Sequence, residues 1–462
     1  MNTFKTITPV DDSVYVERTF ATDAGIDQAI QQARQAQRNW RNATISERAA
    51  ICSRAVDVFV DNKEDIAREL TWQMGRPIAF APGEVASLEE RARYMISVAD
   101  KSLAPEQIEP KPGFDRYIRH EAVGVVFVVA PWNYPYLTSV NAIIPALLAG
   151  NAVILKHSVQ TPLCAERYFA AFAEAGLPEG VFQYLHTTHD GARRIIQSSE
   201  IDFVAFTGSV PGGRSVEQSS AGRFINVGLE LGGKDPAYVR HDANLEHAIE
   251  TTADGAFFNS GQSCCGIERI YVHQSVYEPF VEGFVGLIRQ YRLGRPDDPK
   301  TTLGPLVKAS AADFVRDQTA SAVAAGARAH IDASAFSMDQ TDSPYLAPQV
   351  LTDVDHSMAV MTEESFGPVV GIMAVDDDAQ AIGLMNDSEF GLTACVFTTD
   401  VDAAVQIGDQ VETGTWFMNR CDYLDPALAW TGVKNSGRGC TLSQLGFDYL
   451  TRPKSYHLKT QL

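Results

Sequence analysis

A cysteine and a glutamate near the middle of the chain have residue types and settings that could support covalent catalysis. Cys264 lies in a Gly-Gln-Ser-Cys-Cys loop after an apolar stretch, and a thiol there could act as a nucleophile. Most free cysteines are instead small buried hydrophobic residues, so the cysteine alone leaves both interpretations open. Glu230 ends an apolar run and precedes Gly232 and Gly233. Burial would raise the pKa of this carboxyl group and make it a better base near neutral pH, whereas a water-facing strand end would have no such role.

Asn133 is a third candidate, in the segment Pro-Trp-Asn-Tyr-Pro at 131–135. It follows an apolar, β-branched run, so it would lie at the carboxyl edge of a sheet, where its side-chain amide could donate to a developing oxyanion. The alternative is a turn residue beside a proline.

The elements that must position these residues change in character along the chain. Apolar residues at three- and four-residue spacing predict helices over 27–40 and 46–72, and glycines and prolines at 75–83 break the pattern. From 123 onward, short apolar strands alternate with helices. The predicted strands are 123–129, 152–155, 201–206, 225–230, 269–272, 369–375 and 394–398, with helices at 138–149 and 162–175. This alternation favours parallel sheets covered on both faces, with a domain boundary near Gly232-Gly233 and a ligand cleft between the two halves.

Composition excludes several classes of function. The 462 residues carry a formal net charge of −20, which disfavours nucleic acid and anionic membranes as partners. The chain has seven cysteines and no C-x-x-C, so we expect neither a disulfide scaffold nor a metal site, and a reducing cytoplasmic location fits best. No apolar run approaches the roughly 18 residues of a transmembrane helix.

Six motifs in order make the chain resemble the aldehyde dehydrogenase superfamily. They are the Pro-Trp-Asn loop at 131–133, Phe-Thr-Gly-Ser at 206–209, Glu-Leu-Gly-Gly-Lys at 230–234, Gly-Gln-x-Cys at 261–264 with Arg269, Glu-Ser-Phe-Gly-Pro at 364–368, and Asn-Ser-Gly at 435–437. The spacings of Glu230 from Cys264 and of Asn133 from Lys156 also match the family. The motifs cover nearly the whole chain.

The resemblance implies an α/β fold with a Rossmann-like cofactor domain, an α/β catalytic domain and a small β oligomerisation hairpin. The expected cofactor domain covers 1–104 and 122–233, and the catalytic domain covers 234–430. Residues 431–447 would return to the domain interface. Residues 105–121 and 448–462 would form the oligomerisation segment of a homodimer or homotetramer.

The resemblance also implies catalytic roles. Cys264 would attack the aldehyde carbon, the Asn133 amide and the Cys264 backbone N–H would hold the oxyanion, and Glu230 would activate the water that hydrolyses the thioester. Cys265 would only line the pocket.

The chain has no G-x-G-x-x-G fingerprint, and the resemblance instead places the cofactor pyrophosphate at a helix N-terminus after residue 208. Lys156 would bond the adenosine ribose, Glu364 the nicotinamide ribose, and Phe366 would pack beside it. The expected cofactor-binding residues are Trp132, Lys156, Gly208, Ser209, Gly213, Glu364 and Phe366.

Two departures from the family bear on the cofactor and the proton path. Many NAD-preferring members have a glutamate where this chain has Val159, and His157 replaces a common proline. We therefore expect NAD or NADP to be used, with His157 as a second donor if its side chain turns inward. Where the family often has Gly-Arg-Glu, Gly439 is followed by Cys440 and Thr441, so a proton relay through that glutamate is lost.

The resemblance predicts a substrate pocket formed by Tyr134, Leu137, Thr138, Phe258, Tyr423 and Trp430. This lining is aromatic and largely uncharged, which favours an apolar or aromatic aldehyde over succinic semialdehyde. Semialdehyde-binding relatives often carry an arginine on the helix after Asn133, but this chain has Ala142 there. Arg420 is the one nearby cation expected to replace it, although a structural salt bridge is its simpler role.

Four alternatives remain. The first is a succinic semialdehyde-type dehydrogenase. The second is a CoA-acylating relative, which would generally lack the glutamate present here as Glu230. The third is a non-catalytic binding protein, which would have lost Cys264. The fourth is a cysteine hydrolase, which would need a histidine base that the motif set does not contain.

Overall fold

Helices and strands alternate along most of the chain in the computed structural model, which describes residues 2–461. The α-helices are α1 (Asp23–Trp40), α2 (Ile45–Asp61), α3 (Lys63–Met74), α4 (Pro82–Ser102), α5 (Pro135–Leu148), α6 (Pro162–Glu174), α7 (His189–Gln197), α8 (Val210–Ser220), α9 (Leu245–Phe257), α10 (Tyr277–Ile288), α11 (Ala309–Ala324), α12 (Ala359–Thr362), α13 (Asp378–Asn386) and α14 (Val401–Gly408). The strands are β1 (Thr3–Ile7), β2 (Val14–Thr19), β3 (Glu106–Gln107), β4 (Phe114–Ala122), β5 (Val125–Val129), β6 (Ala152–Lys156), β7 (Phe182–Tyr184), β8 (Phe203–Thr207), β9 (Asn226–Glu230), β10 (Asp235–Val239), β11 (Ile267–His273), β12 (Arg328–Ala329), β13 (Gln349–Thr352), β14 (Val369–Val375), β15 (Phe390–Gly391), β16 (Thr393–Phe397), β17 (Thr415–Met418), β18 (Val433–Lys434), β19 (Gly437–Arg438) and β20 (Thr451–Lys459).

The first large sheet has six strands in the order β19-β9-β8-β5-β6-β7. Its pairs are parallel except for β19, which runs antiparallel to β9 and places Gly437 opposite Glu230. Alternate residues of β5 pack into cores on opposite faces, Val126 and Val128 in one and Val125 and Phe127 in the other. Helices therefore cover both faces, as the apolar run of this strand predicts.

The second large sheet has seven strands in the order β12-β13-β14-β11-β10-β16-β17. All of its pairs are parallel except β12 with β13. Ile270 and Val272 of β11 pack into one core and Tyr271 into the other, so this sheet is also buried on both faces. The α/β architecture expected from the sequence is confirmed.

The single helix predicted over 46–72 is wrong, because the chain forms α2 and α3 with Asn62 between them. α2 begins with a capping box in which Thr44 and Glu47 exchange side-chain and backbone hydrogen bonds. Pro82 and Gly83 do not keep the chain irregular as expected. Pro82 instead occupies the first turn of α4, where its missing N–H costs nothing.

The strand β20 near the C-terminus pairs with β4 over nine residues, and β4 pairs with β3. This three-stranded sheet takes the place of the expected hairpin. Stacked aromatic pairs join its strands, Tyr117 with Tyr456 at 4.6 Å and Phe114 with His457 at 4.9 Å between ring centroids. Within residues 2–461, no helix is long and apolar enough to cross a membrane.

Candidate active site

Cys264 lies in a loop whose backbone is bent by three consecutive residues with positive φ. They are Asn259 at 52°, Ser260 at 58° and Gly261 at 72°. A Cβ on Gly261 would lie 2.3 Å from the carbonyl oxygen of Gly367, so only glycine fits there. The bend is held by Asn259, whose side-chain amide donates to the Gln262 carbonyl oxygen at 3.2 Å. Cys264 is left half-buried on the wall of a cavity.

The adjacent Cys265 is buried and has a different environment. Its thiol donates to Oδ1 of Asp422 at 2.9 Å, and Ser263 donates to the same oxygen at 3.3 Å. Hydrogen bonding with Cys264, burial and the nearby Asp422 raise the pKa of the Cys265 thiol well above its usual range. A thiol held in its protonated form is a poor nucleophile, so the surroundings favour Cys264 as the reactive sulfur.

Asn133 is buried behind the cysteine loop. Its Nδ2 donates to the Gln262 carbonyl oxygen at 3.2 Å, which uses one of its two amide hydrogens. Its own carbonyl oxygen accepts from Arg76 Nη2 at 2.5 Å and from Asn259 Nδ2 at 3.2 Å. These bonds join Asn133 to the backbone next to Cys264 and leave one amide hydrogen for a ligand.

Glu230 ends β9 and lines the same cavity as Cys264. Burial raises the pKa of its carboxyl group. Thr207 Oγ1 donates to one carboxylate oxygen at 3.0 Å and Thr441 Oγ1 donates to the other at 2.6 Å. Sequence alone assigned neither threonine a role beside Glu230. Thr441 reaches the site through the pairing of β19 with β9 and its own bridge to Trp430.

The cavity beside Cys264 has a volume of about 260 Å³ and opens to solvent. All six residues expected in the substrate pocket line it, namely Tyr134, Leu137, Thr138, Phe258, Tyr423 and Trp430.

The expectation of a largely uncharged pocket is wrong, because six ionisable residues that sequence reasoning missed also line this cavity. They are Arg76, Glu84, Glu90, Arg91, Asp254 and Asp422. Four of them come from α4 or the loop before it. Charged residues in an amphipathic helix are usually predicted to face solvent, so the sequence did not place them in the pocket. Arg420 is not among the residues that line the cavity, and it forms no salt bridge within residues 2–461. Its guanidinium lies 3.5 Å from the centroid of the Tyr423 ring.

A buried ion pair between Arg76 and Glu84 supports the Asn133 loop. One oxygen of Glu84 accepts from the backbone N–H of Tyr136 at 2.9 Å and of Leu137 at 3.2 Å, the first free N–H groups of α5. A carboxylate at this position satisfies both N–H groups and the positive end of the helix dipole.

Two further residues have side chains that fit the expected dinucleotide. Lys156, at the end of β6, is buried, and its ammonium makes no hydrogen bond or ion pair with residues 2–461, so burial lowers its pKa. Burial raises the pKa of Glu364 to about 8, and one of its carboxylate oxygens accepts from the Gly233 N–H at 3.1 Å. A buried ammonium without a partner fits the hydroxyl groups of a ribose, as does a carboxylate with free acceptor positions.

The other expected cofactor residues belong to the loops after β5 and β8, to α8 and to the loop before β14. Trp132 and Phe366 meet edge to face at 5.7 Å between ring centroids. Ser209 follows Gly208 and caps the start of α8, where its hydroxyl accepts from the Gly212 N–H at 3.3 Å. Gly213 packs against Leu231, where an added Cβ would approach within 2.8 Å.

His157 turns inward, but it is not a second donor for the cofactor. Its Nε2 is 3.2 Å from the Pro135 carbonyl oxygen and its Nδ1 is 3.0 Å from the Thr161 hydroxyl. Burial lowers its pKa to about 3, so the ring is neutral and both nitrogens are used. Val159 is 42% exposed, and its backbone carbonyl accepts from Thr6 Oγ1 at 2.7 Å.

Comparison with known proteins adds independent information. The family model described as "Aldehyde dehydrogenase family" matches residues 1–456. A succinate-semialdehyde dehydrogenase (NADP(+)) of Mycobacterium avium is 34% identical over 455 residues, which are 97% of this chain and 95% of that protein. An aldehyde dehydrogenase of Emericella nidulans is 34% identical over 460 residues, which are 99% and 92% of the two chains.

Solved structures agree over the full length. An aldehyde dehydrogenase of Bacillus cereus superposes with a TM-score of 0.95 at 31% identity and covers 100% of this chain and 94% of its own. A betaine aldehyde dehydrogenase of Staphylococcus aureus in complex with NAD+ gives a TM-score of 0.93 at 29% identity, with 100% and 92% covered.

Proposed function

The chain belongs to the aldehyde dehydrogenase family and is an NAD(P)-dependent aldehyde dehydrogenase, and from this premise we propose that Cys264, Glu230 and Asn133 carry its chemistry. The observation that carries the proposal is that Cys264 and Glu230 line one cavity while Asn133 is bonded to the backbone of the cysteine loop.

Cys264 acts as the nucleophile in this proposal. Its thiolate forms a bond to the aldehyde carbon, and the negative charge that develops on oxygen is stabilised by the Asn133 amide and the Cys264 backbone N–H. Bound NAD(P)+ supplies the acceptor for the hydride that leaves this carbon, which leaves a thioester on Cys264. Lys156 and Glu364 would hold the ribose hydroxyl groups, and Trp132 and Phe366 would pack against the cofactor.

Glu230 acts as the base in the second half of the reaction. Its carboxylate removes a proton from water, and the resulting hydroxide attacks the thioester carbon, which releases the carboxylic acid and restores the Cys264 thiol. The raised pKa makes Glu230 a stronger proton acceptor, while Thr207 and Thr441 hold both oxygens in place.

NADP and NAD are both proposed cofactors. Val159 places no carboxylate beside the expected adenosine ribose, so nothing there repels a 2′-phosphate, and Lys156 is an unpaired cation nearby. The name of the Mycobacterium avium relative includes NADP(+), which agrees with this proposal.

A homodimer or homotetramer in the cytoplasm is proposed for the assembled enzyme. The nine-residue strand β20 lies at the edge of its sheet with most of its side chains exposed, and an exposed edge of this length is suited to pairing with a second subunit. The seven cysteines are free thiols, as a reducing compartment would keep them.

Replacement of each cysteine in turn tests the proposal. Cys264→Ala should abolish NAD(P)H formation with every aldehyde while cofactor binding persists, because the covalent intermediate cannot form. Cys265→Ala is the matched control and should keep turnover within about tenfold, since its thiol is not the nucleophile. An active Cys264→Ala enzyme together with an inactive Cys265→Ala enzyme would assign the chemistry to the other sulfur.

A further inference from the structure

We propose that Arg91 binds the carboxylate of an acidic aldehyde and thereby makes short-chain semialdehydes that carry a carboxylate the preferred substrates. The proposal rests on the proposed function of the Cys264 cavity, because it concerns the substrate of that cavity. It replaces the expectation of an apolar or aromatic aldehyde.

Arg91 lies on α4 with 7% of its surface exposed, and it lines the cavity that contains Cys264. Its Nη1 donates to the Leu137 carbonyl oxygen at 3.0 Å and to Asn141 Oδ1 at 3.3 Å. Within residues 2–461, its Nε and Nη2 have no hydrogen-bond acceptor, and no carboxylate lies within ion-pair distance. One edge of the guanidinium is therefore free, and the Nε–Nη2 edge matches the geometry of a carboxylate.

The other arginine of the cavity is already used. Arg76 pairs with Glu84 and also donates to the Asn133 carbonyl oxygen and to Asn259 Oδ1. Its ring contact is with Tyr134, with the guanidinium carbon 4.5 Å from the ring centroid. Arg76 is thus a structural cation, and Arg91 has donors left for a ligand.

The carboxylates of the cavity form no ion pair with Arg91 within residues 2–461. Glu84 is already paired with Arg76, and Glu230 accepts from two threonine hydroxyls, although both carboxylates act on Arg91 at longer range. Burial raises the pKa of Asp422 to about 7 and also raises the pKa of Asp254, so these groups can become neutral by taking up a proton. Glu90 lies at an exposed position and accepts from the Tyr423 hydroxyl at 2.7 Å. A guanidinium cannot lose its proton at physiological pH, and a buried charge is costly unless an anion compensates it.

The position of Arg91 explains why the sequence did not reveal this anchor. Asn141 and Ala142 stand on α5, where semialdehyde-binding relatives often have an arginine. Arg91 belongs to α4 and donates to Leu137 and Asn141 of α5. A cation therefore lies beside α5 although the sequence of α5 contains no arginine.

Three aldehydes of matched length test the proposal, namely 4-oxobutanoate, its neutral amide and 4-(trimethylammonio)butanal. The wild-type enzyme should prefer the acid to the amide by at least about tenfold in kcat/KM. Arg91→Gln should lower kcat/KM for the acid by about one hundredfold, mainly through KM, and change the amide by less than about threefold. Arg91→Lys should retain part of the preference because it keeps the charge.

Arg93→Gln is the matched control, because it removes a cation from the same helix. Arg93 is half-buried, does not line the cavity and pairs with Asp57 and Glu89, so its loss should change none of the three values. Preference of the wild-type enzyme for the amide or the cation would overturn the proposal. So would an equal loss on all three aldehydes in both Arg91 variants, because that pattern indicates a structural role.

A binding measurement separates this proposal from the proposed function. Succinate should slow the alkylation of Cys264 by iodoacetamide in the wild-type enzyme and not in Arg91→Gln, as followed by mass spectrometry. If the wild-type enzyme oxidised none of the aldehydes and succinate still protected Cys264, the proposed function would fail and the anion site would stand. Equal protection of both proteins would overturn the role of Arg91.

Discussion

Glu230 is held by two threonine hydroxyls instead of a charged partner. Each hydroxyl donates to a different carboxylate oxygen, and both bonds favour the ionised form against the effect of burial. In the proposed mechanism Glu230 must be ionised to accept a proton, so these bonds would set the pH range in which the thioester can be hydrolysed. Thr441 thus donates to the proposed base from the position where many relatives have a glutamate.

Thr441→Val should shift the acidic limb of the kcat profile to higher pH. Without this donor the pKa of Glu230 rises further, so a larger fraction of the carboxyl group is protonated at a given pH below the plateau. On that limb kcat should fall by about tenfold, since a hydrogen bond to a charged group contributes about 1.5–3 kcal/mol. Thr441→Ser should restore the profile because it keeps the hydroxyl.

Thr71→Val is the matched control for this profile. The Thr71 hydroxyl is buried and has no partner within residues 2–461, so its removal should leave the pH dependence unchanged. An unshifted acidic limb in Thr441→Val would show that the threonine does not act on the base.

At the same scale, we predict that the cofactor preference depends on Val159. Val159→Glu would place a carboxylate beside the expected adenosine ribose, where it would repel a 2′-phosphate by roughly 1–4 kcal/mol. We expect similar KM values for NAD and NADP in the wild-type enzyme and a rise of at least about tenfold in KM for NADP in the variant. Val401→Glu adds the same charge at an exposed helix start elsewhere and should change neither value. Rejection of NADP by a hundredfold in the wild-type enzyme would refute this expectation.

At the scale of elements, α5 depends on a residue that α4 supplies. The residue before α5, Tyr134, makes no side-chain cap, and Glu84 of α4 accepts the first two N–H groups instead. Because Arg76 binds Glu84 and the Asn133 carbonyl oxygen, the start of α5 and the Asn133 loop form one supported unit.

Glu84→Gln should therefore weaken both stability and catalysis. It leaves the buried Arg76 without its counter-ion, which costs about 3–5 kcal/mol and should lower Tm by roughly 5 °C or more. A fall in kcat should accompany it because Asn133 loses its support. Removing both charges in Arg76→Met with Glu84→Gln should recover part of the stability.

Glu90→Gln is the matched control on the same helix. Glu90 is exposed and bonds only the Tyr423 hydroxyl, so the Tm of this variant should stay near the wild-type value. Equal Tm values for Glu84→Gln and Glu90→Gln would contradict the capping role.

The elements also show what a sequence can and cannot predict. The run at 369–375 is apolar and β-branched, and it forms β14 with the predicted bounds. The nucleophile loop and Glu230 were identifiable because their motifs are local. Arg91 and Glu84 were not, since α4 carries Glu89, Glu90 and Arg93 as well, and only the packing of α4 on α5 decides which charges are buried.

At the scale of the whole molecule, the first large sheet is completed by a strand that comes late in the chain, β19. Gly437 and Arg438 form its edge beside β9, and the Leu450 carbonyl oxygen accepts from Asn151 Nδ2 at 2.9 Å. Periodicity along the sequence cannot predict such a pairing, because the two strands are separated by the whole second sheet. The domain limits inferred from the sequence remain a prediction.

The pairing of β19 with β9 determines how much of the chain must be synthesised before the site is complete. Thr441 and the strand that closes the sheet beside Glu230 leave the ribosome after nearly all the other residues. The nascent chain therefore carries the complete Cys264 loop and Thr207 before Glu230 has its second hydroxyl donor. Pairings between such distant segments form slowly, because a long loop must close before they contribute stability. A chain interrupted before β19 would therefore keep its reactive thiol and lack the geometry to release product.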